Sequence, residues 1–311
     1  MNTLRNFRME LPIVLYIFSL ITSGLCLVQS KEWSYEGENG PENWPGVCVI
    51  GENQSPIDIV TDDLSRADLG RLKFIKYDVQ YEANITNTGH SVQIDLNNNE
   101  ELVVPRIETT TSTYILKQMH FHWPAEHTVD GKHDALEVHF VHYDKQYNNF
   151  SEALKHSSGI VVVASLFELH THDNHDLTPI LEGVVTVTPW VGPSTAIMNL
   201  KFMPLVLLPK DHTTYYRYKG SLTTPNCLES VLWFVLTEKL TVSDTQINIF
   251  KNLQSSKGSL SFNNRPIQKT GCRKVQHHLD GYSAASTTSS NLLFTLCNLL
   301  LVTLLFSRHK M

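Results

Sequence analysis

This 311-residue chain lacks any long run of like charge, any basic stripe and any internal repeat, and its 25 Lys and Arg against 31 Asp and Glu leave a formal charge of −6. Nucleic acid is therefore not an expected partner, because its recognition needs clustered cations. No low-complexity linker divides residues 31–280, so a single domain is the simplest organisation. Helical periodicity is scarce and confined to 176–184 and 243–253, the latter opened by Asp244 near its N-cap. The His-Glu-x-x-His pattern of a helical zinc peptidase is also absent.

What is present is a series of short β-type runs at 72–77, 91–96, 115–123, 136–143, 160–167 and 230–236, separated by clusters of Asn, Gly and Pro. They predict a mainly β (α+β) domain with a few short peripheral helices. The two ends do not belong to its core. Residues 1–30 carry Arg5 and Arg8, then an apolar run and small residues near Ser23, the layout of a secretory signal peptide. Residues 281–311 begin small and polar and end in an apolar tail, which fits a removable GPI-attachment signal with Ser283, or next Gly281, as the attachment residue. The competing reading is a short transmembrane helix with the cationic end 307–310 inside. The expected location is the outer face of the plasma membrane. On that reading Asn84 and Asn149 head N-glycosylation sequons, and Asn53 heads a weaker one followed by Pro56. Five cysteines become three once Cys26 and Cys297 leave with the end segments, giving one pair and one remainder that the residues themselves do not assign.

The chemistry centres on residues 118–141. His120 and His122 alternate along one predicted strand, and Glu137, His139 and Val141 alternate along the next, with the turn signal Asp130-Gly131 between them. If the two strands lie close in one sheet, three imidazoles converge. Three neutral nitrogen ligands without a fourth protein ligand describe an open, catalytic Zn2+ site. Gln118 and Glu137 offer the acceptors that metal-bound imidazoles need on their second nitrogen. The same spacing recurs at His170, His172 and His175, but amid Asp, Asn and Thr, as expected of a solvated loop.

Gln118-Met-His-Phe-His-Trp123 followed by Ala125-Glu-His-Thr128 resembles the alpha-class carbonic anhydrases, particularly their secreted and membrane-anchored members. So do Gln54-Ser-Pro-Ile-Asp58, Gly220-Ser-Leu-Thr-Thr-Pro225 and Asn264-Arg-Pro266, which stand in the family's order across about residues 33–272. The resemblance implies a large, mostly antiparallel twisted sheet and the reversible hydration of carbon dioxide to hydrogencarbonate and a proton. It implies His120, His122 and His139 as zinc ligands, with Thr223 orienting the nucleophilic water and Glu126 receiving the threonine proton. Thr224 would line the substrate side, and Val141, Val163, Leu222, Val231 and Trp233 would form the dry wall for apolar CO₂. His90 matches the proton-shuttle histidine and Tyr35 a tyrosine of the proton network. Thr88 and Gln93 replace the asparagines that often order that network, so fast proton release does not follow from the resemblance. Cys48 and Cys227 match the disulfide of the exported members, which leaves Cys272 over. The rival reading is a catalytically silent, anchored binding module on the same scaffold. Such relatives typically lose a zinc histidine, and all three are present here. Protein partners are not indicated.

Overall fold

The structure, a computed structural model, describes residues 32–97, 104–189, 194–197 and 201–282. The expected signal peptide, Ser283 and the C-terminal tail lie outside the described residues. Among them, thirteen strands join one large sheet. Ten form its continuous path: β1 (Ser65–Ala67), β2 (Ala83–Asn87), β3 (Val92–Leu96), β4 (Thr113–His122), β5 (Leu136–Asp144), β6 (Ile160–His170), β7 (Ser194–Ile197), β8 (Tyr215–Gly220), β9 (Val231–Leu236) and β10 (Gln276–His278). Their spatial order is β7-β2-β3-β4-β5-β6-β9-β8-β10-β1. Only β6 with β9 and β10 with β1 run parallel along this path, so the expected mostly antiparallel sheet is observed.

Burial explains the strand patterns. In β2 buried residues alternate with half-buried ones, as in a strand with one wetter face. By contrast β5 is buried at every residue except Tyr143, because apolar layers cover both of its faces. One layer holds Phe121, Val138, Phe140, Val163 and Phe234, packed with Ile180, Val184, Ile247 and Phe250 from the helices α1 (Thr178–Val187) and α2 (Asp244–Lys251). The other holds Ile57, Ala125, Val141, Val162, Val231 and Trp233. The side chains of Glu137, His139 and Val141 belong to this second face, and His120 and His122 join them by cross-strand register.

One helix starts as expected and the other does not. Ser243 caps α2, and Asp244 follows it in the first turn as expected. Its hydroxyl accepts the Gln246 N–H at 3.1 Å while Gln246 Oε1 accepts the Ser243 N–H at 3.2 Å, a reciprocal pair that satisfies two otherwise unbonded donors. In the other helical segment, Asn174 accepts the Asp176 N–H at 3.1 Å and starts a 3-10 turn over His175–Leu177, so α1 begins only at Thr178 and runs on to Val187.

Candidate metal centre

Register brings the three histidines together. Strands β4 and β5 pair antiparallel with His120 opposite His139 and His122 opposite Glu137, so all four side chains share one face. Imidazole centroids lie 5.0 Å apart for His120 and His122, 5.0 Å for His120 and His139, and 4.6 Å for His122 and His139. One nitrogen of each ring lies within 4.8 Å of the others.

The second nitrogen of each ring is already engaged. His120 Nδ1 donates to Gln118 Oε1 at 2.9 Å, His122 Nδ1 to the Asn263 carbonyl at 2.8 Å, and His139 Nε2 to Glu137 Oε1 at 2.6 Å. Each partner is an acceptor, which settles the tautomer and leaves His120 Nε2, His122 Nε2 and His139 Nδ1 with lone pairs. His122 Nε2 is buried and has no hydrogen-bond partner, although such atoms are rarely left unpaired. A metal ion in the pocket would satisfy it, so the donor set fits the group that the sequence predicts. Burial also disfavours the charged rings. It lowers His122 to about 4 and moves His120 and His139 below the usual histidine value, which keeps the nitrogens neutral and able to ligate.

Glu137 is held from both sides. Its two oxygens also accept the His127 backbone N–H at 2.8 Å and the His127 ring at 2.7 Å. The far nitrogen of that ring meets the Tyr218 hydroxyl at 2.7 Å, and Tyr218 donates to Ser55 Oγ at 3.0 Å. His127, Glu137 and His139 also form a potential metal triad by proximity, but their facing atoms are spent on one another. The open position is therefore at His120, His122 and His139.

Glu126 is fully buried, its Oε1 accepting the Arg265 N–H at 2.9 Å while Oε2 has no hydrogen-bond partner. Burial pushes its pKa up to about 7, against the pull of His139, Arg265 and the neighbouring Thr223 hydroxyl. Thr223 is itself buried on the loop after β8, which closes through Leu222 N–H to Leu228 O at 3.0 Å and Cys227 N–H to Thr224 O at 2.9 Å. Cys227 is bonded to Cys48, 179 residues away in sequence, and Cys272 is free and exposed. Arg265 braces this end of the site. The residue is 2% exposed, and its guanidinium donates to Gln54 Oε1 at 2.9 Å, Ser55 O at 2.8 Å and Cys48 O at 3.3 Å.

Beside the histidines, Trp233 places its ring 4.8 Å from that of His139. Val141, Val231 and the half-buried Leu222 belong to the same layer, and Thr224 lies half-buried on the loop. Val163 does not join them. It pairs with Phe140 and packs into the opposite layer, whereas Val162 pairs with Val141 and Trp233 and takes the wall position. A displacement of one residue in a strand reverses the face, and a run of three valines carries no alternation to reveal it.

His90 is half-buried and stacks on Trp33 at 3.7 Å, with Nε2 donating to the Trp33 carbonyl at 2.8 Å. Tyr35 is buried next to this aromatic cluster, with its pKa raised well above the usual value by burial and then by Glu126. Gln93 pairs with His120 across the sheet, yet its amide donates to Asp95 at 2.8 Å. The Thr88 hydroxyl closes its own turn, accepting from Ser91 N–H at 3.0 Å and donating to Ser91 O at 3.1 Å. Asn149 is exposed at the start of a short helix, and Asn84 is half-buried within β2. His170 ends β6, and with His172 and His175 it is exposed and outside both metal-competent groups found among the described residues.

Sequence reasoning missed Asn263 and the bracing roles of His127, Tyr218 and Arg265. His127 and Arg265 stood within motifs already noted, so a signal existed. Asn263 acts through its backbone carbonyl, for which side-chain patterns give no sign.

The comparisons agree with this geometry. Carbonic anhydrase 6 of Mus musculus is 35% identical over 264 residues, covering 79% of this chain and 78% of the relative. Carbonic anhydrase 7 of Homo sapiens is 36% identical over 230 residues, covering 71% and 85%. A solved Photobacterium profundum alpha-carbonic anhydrase matches with a TM-score of 0.65 at 32% identity, covering 79% of this chain and all of that one. With the model of the eukaryotic-type carbonic anhydrases matching residues 39–279, the chain belongs to the carbonic anhydrase family.

Proposed function

We propose that this carbonic anhydrase holds Zn2+ through His120 Nε2, His122 Nε2 and His139 Nδ1 and hydrates carbon dioxide to hydrogencarbonate at the outer surface of the cell. The observation that carries the metal assignment is His122 Nε2, buried without a partner between two other neutral nitrogens. Zinc with an open position supplies Lewis acidity that makes water a nucleophile near neutral pH.

The chain's own residues do the rest. Thr223 accepts a hydrogen bond from the attacking water only if its own proton points elsewhere, and the unpartnered Oε2 of Glu126 is a ready acceptor for it. The nucleophile's lone pair is thereby aimed at the substrate carbon. Val141, Val162, Leu222, Val231 and Trp233 exclude water from the substrate side, which suits an apolar gas. Thr224 lines the exit of the anionic product. His90 carries the proton away, with Nε2 on the Trp33 carbonyl and Nδ1 left to accept it. Tyr35 and Gln93 border that route.

The outer-surface location rests on the signal-like residues 1–30, the tail with Ser283, the sequons at Asn84 and Asn149, and a disulfide of the kind that persists in oxidising compartments. A silent binding module is disfavoured because Thr223 and Glu126 accompany the full histidine set.

The test is zinc content and CO₂ hydration of the exported protein beside His122→Ala. Activity surviving the substitution would remove the three-histidine assignment. Phosphatidylinositol-specific phospholipase should release the protein from cells, and resistance would favour a spanning tail.

A further inference from the structure

The strand path gathers cations that the sequence keeps apart. Arg217 and Lys219 alternate along β8, while Arg273 and Lys274 precede β10, and the four line one cleft of about 430 Å³. Leu232, opposite Lys219 in the β8/β9 register, is its apolar floor. Among the described residues no Asp or Glu lines the cleft, in a chain with a net charge of −6. Among the described residues none of the four cations makes an ion pair with a carboxylate.

Both guanidiniums are held by neutral groups instead. Arg217 donates through Nε at 3.2 Å and Nη2 at 2.8 Å to Gln276 Oε1. Arg273 donates to the carbonyls of Thr270 at 2.9 Å, Lys219 at 3.1 Å, Gln54 at 2.8 Å and Lys269 at 2.7 Å. The acid that Arg273 feels is Glu229, whose Oε1 accepts from the Asn53 N–H at 2.6 Å and Gln54 Nε2 at 2.9 Å and whose Oε2 accepts from Asn53 Nδ2 at 3.3 Å. Lys219 and Lys274 are exposed and able to reach a ligand. Two arginines held by hydrogen bonds and two exposed lysines around one cavity repel one another until an anion enters.

We propose that this cleft binds a sulfated saccharide. Its volume is that of a small-ligand pocket, the lysines supply point charges for sulfate oxygens, and Leu232 offers an apolar surface to a sugar ring. Arg217 and Leu232 also line a neighbouring cavity of about 80 Å³, where Arg71 is already paired with Asp280, so the unpaired cations are confined to the larger cleft. Single-stranded nucleic acid fits less well, because it needs exposed aromatic rings for stacking and the cleft's one aromatic residue, Tyr218, is 2% exposed. The site is separate from the metal ligands and does not depend on their assignment.

The experiment is calorimetric titration of the full exported, zinc-loaded protein at low salt with a sulfated disaccharide, inorganic sulfate and a single-stranded oligonucleotide. The saccharide should bind saturably and more tightly than either alternative. Binding should weaken by about tenfold or more in K219E/K274E and survive in K219R/K274R. CO₂ hydration should be unchanged in both variants, which reports that they are folded. Absence of saturable saccharide binding, indifference to K219E/K274E, or equal binding of inorganic sulfate or the oligonucleotide would overturn the proposal.

Discussion

His122 and Asn263 stand 141 residues apart, yet the Nδ1–H of the histidine donates to the asparagine carbonyl at 2.8 Å. That bond turns the opposite nitrogen, buried and unpartnered, toward His120 and His139. The Asn263 side chain also donates to the carbonyls of Phe121 at 2.8 Å and His90 at 3.0 Å, so one residue fixes the ring of a proposed ligand and anchors the backbone of the proposed shuttle.

Removing a ligand should abolish metal retention. His122→Ala is expected to lower zinc affinity by more than about a hundredfold, beyond the range typical of partners that only orient a ligand. Metal analysis after dialysis against a chelator checks this. One tightly held zinc per mutant chain would contradict the assignment.

Glu137→Gln should weaken zinc binding by about 10–100-fold while leaving the ligand set intact. Oε1 accepts from both the His127 and His139 rings and Oε2 from the His127 backbone N–H, so an amide must set its N–H₂ against a donor at one of the two positions, which loosens the hold on His139. Chelator competition reads the affinity, and an unchanged value would show that the bond to His139 is dispensable.

His142 supplies a pH dependence outside the ligand set. Fully buried, it donates Nδ1–H to Val161 O at 3.4 Å and accepts from the Tyr77 hydroxyl, and burial lowers its pKa to about 3. Its unfolded counterpart protonates near 6.5. The unfolded chain thus binds more protons between these values, and stability from this group, fully present above about pH 6.5, declines as pH falls toward 3. Denaturant titrations from pH 7 to 4 should show a shallower decline in His142→Asn than in the parent.

The disulfide between Cys48 and Cys227 closes 179 residues. Cys48→Ser with Cys227→Ser should cost about 2–5 kcal/mol of stability. Turnover should fall as well, because Cys227 closes the loop that carries Thr223 and Thr224. Thermal unfolding and CO₂ hydration measure the two effects, and a change in stability alone would show that Thr223 is held without the bridge.

His90→Ala should slow CO₂ hydration by about tenfold or more in weak buffer, with recovery on adding imidazole. Stopped-flow measurement across buffer concentrations reads this directly. Equal rates in parent and mutant would move the proton route elsewhere.

Alternation along 118–122 and 137–141 already placed the histidines on strand faces, because a strand's side-chain period is a local property of its backbone. His170, His172 and His175 also read correctly as exposed, since they stand among Asp, Asn and Thr rather than in an apolar run. What local pattern could not supply was register and distant backbone. Val162, rather than Val163, lines the wall only because of the pairings with Val141 and Trp233. The Asn263 carbonyl reaches His122 only through the folded chain, and the basic cleft exists only where β8 lies beside the segment leading into β10. The order of residues supplies the donors, acceptors and charges and, where polar and apolar residues alternate, the strand face they take. Tertiary structure decided which of them meet, because hydrogen bonds and ion contacts act over a few ångströms while their partners lie scores of residues apart.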